Sequence, residues 1–143
     1  MNWLINLFQS VVFQTIISGV LVFVIAQIIQ KFFIEVIQKY KATIGKIDNK
    51  LKFYANVIAN PGILPKDIIL KCSHEIRNLS CELEMTYKQI PFTFVRKIIN
   101  SPALISDSAG RLIRLSNSLY QGDALKNYDD VKKIRENLSI PEL

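Results

Sequence analysis

The sequence predicts an all-α protein: one N-terminal transmembrane helix continues into a long cytoplasmic helix that packs in a small helical bundle. Three observations lead to this prediction. A run of twenty uncharged, mostly apolar residues lies near the N-terminus. Beyond it, apolar residues recur about every 3.5 residues, the spacing of a helix with one packing face. No segment shows the alternating pattern of a strand.

The uncharged run extends from Val11 to Gln30, about the length that crosses the hydrocarbon core of a bilayer. A signal peptide would have a basic start, a shorter apolar run and a small-residue cleavage site, and the sequence has none of these. A buried core helix is the alternative that remains open. Residues 1–10 carry Trp3 and Phe8, which favour the membrane interface. We therefore predict an interfacial segment at 1–10, a transmembrane helix at 11–30 and a cytoplasmic helical domain at 31–143.

The distribution of charge predicts the orientation of the span. The net charge is +6, and no Asp, Glu, Lys or Arg precedes Lys31. Six lysines follow the span within about twenty residues, against only Glu35 and Asp48. They are Lys31, Lys39, Lys41, Lys46, Lys50 and Lys52. The positive-inside rule then places the C-terminal domain in the cytoplasm and the N-terminus outside, across a bacterial inner membrane. Lipid headgroups explain the basic bias without a nucleic-acid polymer.

The 3.5-residue repeat after the span defines a cytoplasmic seam. Its members are Phe33, Ile37, Tyr40, Ile44, Ile47, Leu51, Tyr54 and Ile58. Asn60, Pro61 and Gly62 end the helix, and Gly45 is the expected position of any bend. A single helix from Val11 to Ile58 would be about 70 Å long, against about 30 Å for the hydrocarbon core.

Three further helices and a short connecting helix are predicted after this break. Residues 65–91 form the first, with an apolar face of Ile69, Cys72, Ile76, Leu79, Leu83, Tyr87 and Ile90. The connecting helix lies within residues 92–102. Residues 103–120 form the next, with Ile105, Leu112, Leu115 and Leu119 inward and Gly122 as its C-cap. Residues 125–138 form the last, with an apolar face of Leu125, Tyr128, Val131, Ile134 and Leu138.

Small and polar residues form a stripe along one side of the span. The stripe consists of Thr15, Ser18, Gly19, Val22, Ala26 and Gln30, in phase with the cytoplasmic seam. Inside a bilayer, helices associate through small residues and side-chain hydrogen bonds. The stripe predicts a homo-oligomer. Whether the copies only associate or surround an aqueous pore is left open by the sequence, and Gln30 could simply lie near an interface.

No motif indicates an enzyme or a cofactor. The two cysteines, Cys72 and Cys81, lie on opposite sides of one helix and are expected to be reduced. His74 has no nucleophile or metal partner nearby in sequence. An all-helical ribonuclease of the HEPN kind would carry an arginine shortly before the histidine, and none precedes His74 at that spacing. We expect neither catalytic residues nor a metal site.

Three arginines are candidate ligand contacts. Arg77, Arg111 and Arg114 lie on two predicted helices that could face each other, and clustered guanidinium groups bind phosphate. A nucleotide signal or a lipid headgroup would be the ligand. The competing interpretation is salt bridging to nearby acids, namely Glu75, Glu82, Glu84 or Asp107.

Three segments carry a resemblance to known proteins. "IGKIDNKLKFYANVIANPG", "EIRNLSCELEMTYKQIPF" and "RLIRLSNSL" resemble a family of small bacterial single-span proteins to which no activity is assigned. In architecture, the chain is also similar to membrane effectors and accessory proteins of antiphage systems, such as the pore-forming partner of an RNA-targeting CRISPR nuclease. The resemblance implies a pore-forming or membrane-perturbing protein of phage defence. The alternatives are a non-conducting anchor for a cytoplasmic protein partner and a membrane-tethered nucleotide receptor.

Overall fold

A computed structural model gives the structure of residues 10–141, and this part of the chain is all-helical, as predicted. The predicted interfacial segment at 1–10 lies, except for Ser10, outside the described residues. Seven α-helices and one π-helical turn follow one another. They are α1 (Val11–Ile29), the π-helical turn (Gln30–Ile34), α2 (Glu35–Phe53), α3 (Ala55–Ala59), α4 (Lys66–Gln89), α5 (Thr93–Ile99), α6 (Pro102–Ser118) and α7 (Ala124–Asn137).

The chain divides between Glu35 and Val36 into two compact units. The first contains α1 and the π-helical turn. The hydroxyl oxygen of Ser10 caps α1 by accepting a hydrogen bond from the Phe13 N–H at 3.1 Å. None of the residues of α1 is buried.

The second unit is an antiparallel four-helix bundle of α2, α4, α6 and α7. Side-chain contacts fix the direction of each pair. Thr43 of α2 lies against Glu82 of α4, whereas Lys50 of α2 lies against Glu75 of α4. The same opposite order holds for α4 and α6, through Arg77–Asn117 and Ser80–Ala109. It holds for α6 and α7, through Arg114–Asp130 and Asn137–Asp107. Helix α7 runs opposite to the α2–α3 segment, through Arg135–Asp48 and Asn127–Ile58. Each helix is therefore antiparallel to its two neighbours.

Apolar faces at helical spacing build the core of this bundle. All seven apolar positions predicted for α4 and its end are buried, as are Ile105, Leu112, Leu115 and Leu119 of the α6 segment. Of the cytoplasmic seam, Tyr40, Ile47, Leu51, Tyr54 and Ile58 are buried, and Phe33, Ile37 and Ile44 are half-buried. The Ser80 hydroxyl donates to the Ala109 carbonyl at 2.9 Å, a buried bond that the small residues of the α4–α6 contact allow.

The long helix is interrupted at places other than Gly45. Helix α2 passes through Gly45 without a break, and the glycine itself is exposed. The interruption comes at Tyr54, whose φ of −95° and ψ of 14° separate α2 from α3. Earlier in the chain, the π-helical turn replaces regular α-helical geometry, and the N–H of Glu35 donates to the Gln30 carbonyl. Helical structure nevertheless continues from Val11 to Phe53, as predicted for the chain across Lys31.

Two glycines shape the connections between helices, Gly62 between α3 and α4 and Gly122 between α6 and α7. Gly62 has a φ of +74°, which favours glycine, and its N–H donates to the Leu119 carbonyl at 2.9 Å. The predicted C-cap at Gly122 was wrong, since α6 ends at Ser118 with Leu119 as its C-cap. Gly122 instead approaches the preceding turn so closely that a Cβ would lie 2.3 Å from the Ser118 carbonyl oxygen.

The predicted apolar face of the last helix was wrong at its first two positions. Leu125 and Tyr128 are 76% and 66% exposed. Ile134 and Leu138 are buried and Val131 is half-buried. Between them, α7 turns polar side chains inward, namely those of Asn127, Asp130 and Asn137. The physical reason is that these three side chains find hydrogen-bond partners on neighbouring elements.

A core substitution tests this packing. Leu83→Ala removes a side chain that is 0% exposed and should lower the free energy of unfolding by about 2–5 kcal/mol. Met85→Ala, on the same helix but 53% exposed, is the control and should change it by less than about 0.5 kcal/mol. Denaturant unfolding of the full chain in mild detergent, followed by circular dichroism, measures both. Equal effects of the two substitutions would contradict the assigned core.

Candidate functional site

Helix α1 is the first candidate site, because it is long and apolar enough to cross a membrane. None of its most apolar stretch is buried within the chain. A core helix of a soluble domain would bury that surface in its own fold. The apolar side chains of α1 are therefore available to lipid or to another protein.

The stripe residues of α1 make few contacts inside the chain. The Thr15 hydroxyl donates to the Val11 carbonyl at 2.8 Å, so it is satisfied by the backbone of its own helix. A Cβ added at Gly19 would meet no heavy atom within 4 Å. The small size of Gly19 thus serves no contact within the described chain. Ser18, Val22, Ala26 and Gln30 are exposed as well.

Asp130 of α7 organises the second candidate site. Its side chain is 5% exposed and lies between two guanidinium groups of α6. Arg114 donates from Nε to Oδ2 at 2.7 Å and from Nη2 to Oδ1, and Arg111 donates from Nη1 to Oδ1 at 2.9 Å. Two arginines thus converge on one buried carboxylate, which is a strong charge-assisted arrangement.

Asp107 extends this network along α6. The Arg111 Nε donates to its Oδ2 at 2.7 Å, and the Asn137 amide donates to the same oxygen at 2.7 Å. The hydrogen bond from Arg111 is the main cause that lowers the pKa of Asp107. Hydrogen bonds to Asp107 and Asp130 are the main causes that raise the pKa values of Arg111 and Arg114.

The three predicted ligand arginines are not in one cluster. Arg111 and Arg114 meet at Asp130, whereas the guanidinium of Arg77 donates to the side-chain oxygen of Asn117. A cavity of about 680 Å³ borders Arg111 and Arg114. The charges that line it are equal in number: three cations, Arg111, Arg114 and Lys126, and three carboxylates, Asp123, Asp129 and Asp130. A phosphate there would meet as many carboxylates as cations, so this geometry favours a structural role for the arginines.

A polar cleft of about 570 Å³ lies between α2 and α4. Ion pairs cross it from Lys46 to Glu82 at 2.5 Å and from Lys50 to Glu75 at 2.6 Å. The hydrogen bond from Lys50 is the main cause that lowers the pKa of Glu75. Burial raises the pKa of Tyr54, whose hydroxyl bonds Glu75, to about 12. These pairs tie α2 to α4.

The two cysteines differ in their exposure. Cys72 is fully buried, and burial raises the pKa of its thiol to about 12, which suppresses the nucleophilic thiolate. Cys81 is exposed, and both thiols are free. Residues 10–141 hold no group of three or more His, Cys, Asp or Glu placed to bind a metal ion.

An apolar cleft of about 400 Å³ lies on the α3–α7 side of the bundle. The exposed side chains Leu125 and Tyr128 border it, together with three exposed alanines. The three alanines are Ala55, Ala59 and Ala124. Sequence reasoning missed this cleft because it assigned Leu125 and Tyr128 to the core. It also missed that Asp130 and Asn127 face inward, because both side chains are polar. Their spacing with Ile134 and Asn137 nevertheless places all four on one face of a helix.

Comparison of this chain with protein-family models, with curated proteins and with solved structures finds no match. The resemblance to a family of single-span bacterial proteins therefore stays a prediction.

The Asp130 network gives a direct prediction. Asp130→Asn removes the charge that pairs with Arg111 and Arg114 and should lower the free energy of unfolding by about 1–3 kcal/mol. This is less than for a fully buried pair, because Arg114 is 61% exposed and solvent screens it. Asp129→Asn, one residue earlier and exposed, is the matched control and should stay within about 0.5 kcal/mol of the wild type. If denaturant unfolding gives the same value for both variants, the assigned role of Asp130 is wrong.

Proposed function

We propose that this chain is a single-span protein of a bacterial inner membrane, with α1 in the bilayer, the N-terminus outside and the four-helix bundle in the cytoplasm. The observation that carries the proposal is that an apolar helix of nineteen residues has no buried residue. The lysines that follow α1 support the orientation through the positive-inside rule. The bundle has its own closed core, so α1 is not needed to complete it.

We further propose that copies of the chain associate through the stripe of α1. Gly19 is the main support, since nothing else in the described chain makes use of its small size. Small residues let helices approach closely in a membrane, where packing replaces the hydrophobic effect as the driving force. The stripe also carries the hydroxyl groups of Thr15 and Ser18 and the amide of Gln30.

The resulting function is that of a pore-forming or membrane-perturbing effector or accessory protein. The polar groups of the stripe lie near its two ends, with Thr15 and Ser18 at one end and Gln30 about 22 Å further along the helix. Several copies that turn this side toward a common axis would line a path with hydroxyl groups at one end, amide groups at the other and the small side of Gly19, Val22 and Ala26 between them. Phage defence is the setting that the architecture suggests.

A second candidate function is a non-conducting anchor that holds a cytoplasmic protein at the membrane. The apolar cleft between α3 and α7 favours it. A groove lined by the buried side chains of Leu51 and Ile58 and bordered by Leu125 and Tyr128 suits the apolar face of an amphipathic helix. The nucleotide-receptor alternative has less support, because Arg111 and Arg114 already bind Asp130.

Gly19→Leu tests association and permeation together. A Cβ added at Gly19 meets no heavy atom of the described chain within 4 Å, so the bundle should stay folded while contact between copies is blocked. We expect the variant to lose the oligomer seen by cross-linking in mild detergent and to release about tenfold less dye from lipid vesicles than the wild type. Val20→Leu, on the apolar side of α1, is the control and should behave as the wild type.

The outcomes separate the two candidate functions. An oligomer that releases dye and is lost only in Gly19→Leu supports the pore. A wild-type protein that inserts in the membrane but stays monomeric, or that releases no dye, contradicts the pore and leaves the anchor.

A further inference from the structure

Helix α5 and the residue before it expose an unusual apolar surface. Phe92, Phe94 and Ile98 are 58%, 64% and 79% exposed. The rings of Phe92 and Phe94 lie side by side, with centroids 5.8 Å apart. We call these three residues, together with Lys97, the α5 patch. Adjacent exposed aromatic side chains on a small domain indicate a surface that contacts something other than water.

In the sequence, the charged residues that flank the α5 patch are basic. From Met85 to Ser106 the sequence has no Asp or Glu, whereas it has Lys88, Arg96 and Lys97. Glu84 pairs with Lys88, so Arg96 and Lys97 carry most of the remaining charge. Apolar and aromatic residues beside basic ones are typical of segments that lie in the headgroup region of anionic membranes.

The other side of α5 is fixed to the bundle. Val95 and Ile99 pack against the hydrophobic core. Asn100 then joins three helices, because its amide donates to the Tyr40 hydroxyl at 3.3 Å and to the Asn137 carbonyl at 3.1 Å, while the Tyr87 hydroxyl donates to the Asn100 carbonyl at 2.8 Å. The α5 patch is therefore held outward by a rigid support.

These contacts also place α5 at the end of the bundle that contains the start of α2 and the end of α7. Tyr40 lies near the start of α2, and α5 is attached beside it through Asn100. Only nine residues separate Lys31 from Tyr40, a length of chain that reaches about 30 Å even when fully extended. With α1 in the bilayer as proposed, this length of chain keeps Tyr40 within about 30 Å of the membrane surface at Lys31.

We propose that the α5 patch is a second membrane contact: Phe92, Phe94 and Ile98 enter the headgroup layer of an anionic leaflet, and Arg96 and Lys97 bind lipid phosphates. This proposal rests on the proposed single span, which brings the bundle to the membrane. It makes the bundle a domain seated on the bilayer surface, in addition to one tethered by α1.

A fluorescent probe at Ile98 tests this contact in the full chain. Ile98→Cys in a Cys81→Ser background carries an environment-sensitive dye, and Leu125→Cys in the same background is the control, with 76% exposure against 79% for Ile98. The protein is reconstituted in vesicles of phosphatidylcholine and phosphatidylglycerol that contain lipids with nitroxide quenchers. We expect about twofold quenching at Ile98 and none at Leu125. Lys97→Glu, or vesicles of phosphatidylcholine alone, should reduce the quenching at Ile98.

Three results would overturn the proposal. One is an Ile98 probe that is no more quenched than the Leu125 probe. Another is equal quenching with and without anionic lipid and with Lys97→Glu. The third is a probe that is shielded from water without lipid quenching and in proportion to protein density, which would indicate a contact between copies. Extraction of membranes with alkaline carbonate tests the proposed span separately. If the protein is extracted, the proposed span is wrong. The Ile98 probe still decides whether the α5 patch contacts the membrane surface.

Discussion

The exposed apolar surface of α1 is the constraint on which the rest of the account depends. Between Val11 and Ile29, twelve large apolar side chains are exposed, and each one transferred from water would gain about 1.5–3 kcal/mol. The chain does not bury them in its own fold. They need lipid or protein around them, and the absence of any charged side chain before Lys31 makes lipid compatible along the whole helix. The proposed orientation, the proposed association and the proposed surface contact of α5 all depend on that placement.

The four-helix bundle meets a different constraint, since it must fix the position of a helix with few apolar residues. Helix α7 buries Asp130, Asn127 and Asn137, and each has a defined partner on another element. Asn127 donates to the Ile58 carbonyl at 2.9 Å, which ties α7 to the end of α3. Directional bonds of this kind select one position of α7 along α6, where apolar contacts alone would tolerate sliding.

Much of the helical architecture could be predicted from the sequence, because α4 and α6 carry strong apolar periodicity with a 3.6-residue period. The face of α7 could not, since its inward side chains are polar and their partners lie on α6 and α3, far away in sequence. The break at Tyr54 and the π-helical turn at Gln30–Ile34 depend on backbone hydrogen bonding that residue types do not report. The stripe of α1 was visible as composition alone, and the α5 patch could have been found from the lack of acidic residues between Met85 and Ser106.

The central claim is that α1 lies in a bilayer, and spin labels test it most directly. Single cysteines at Val20 and Ile63 in a Cys81→Ser background are labelled in the full chain, where Cys72 is fully buried and stays unlabelled. In lipid vesicles, the label at Val20 should collide more often with oxygen, which concentrates in lipid, than with a water-soluble nickel chelate. The label at Ile63, which is 77% exposed on the bundle, should show the reverse. A label at Val20 that meets the nickel chelate as readily as the label at Ile63 does would contradict the account.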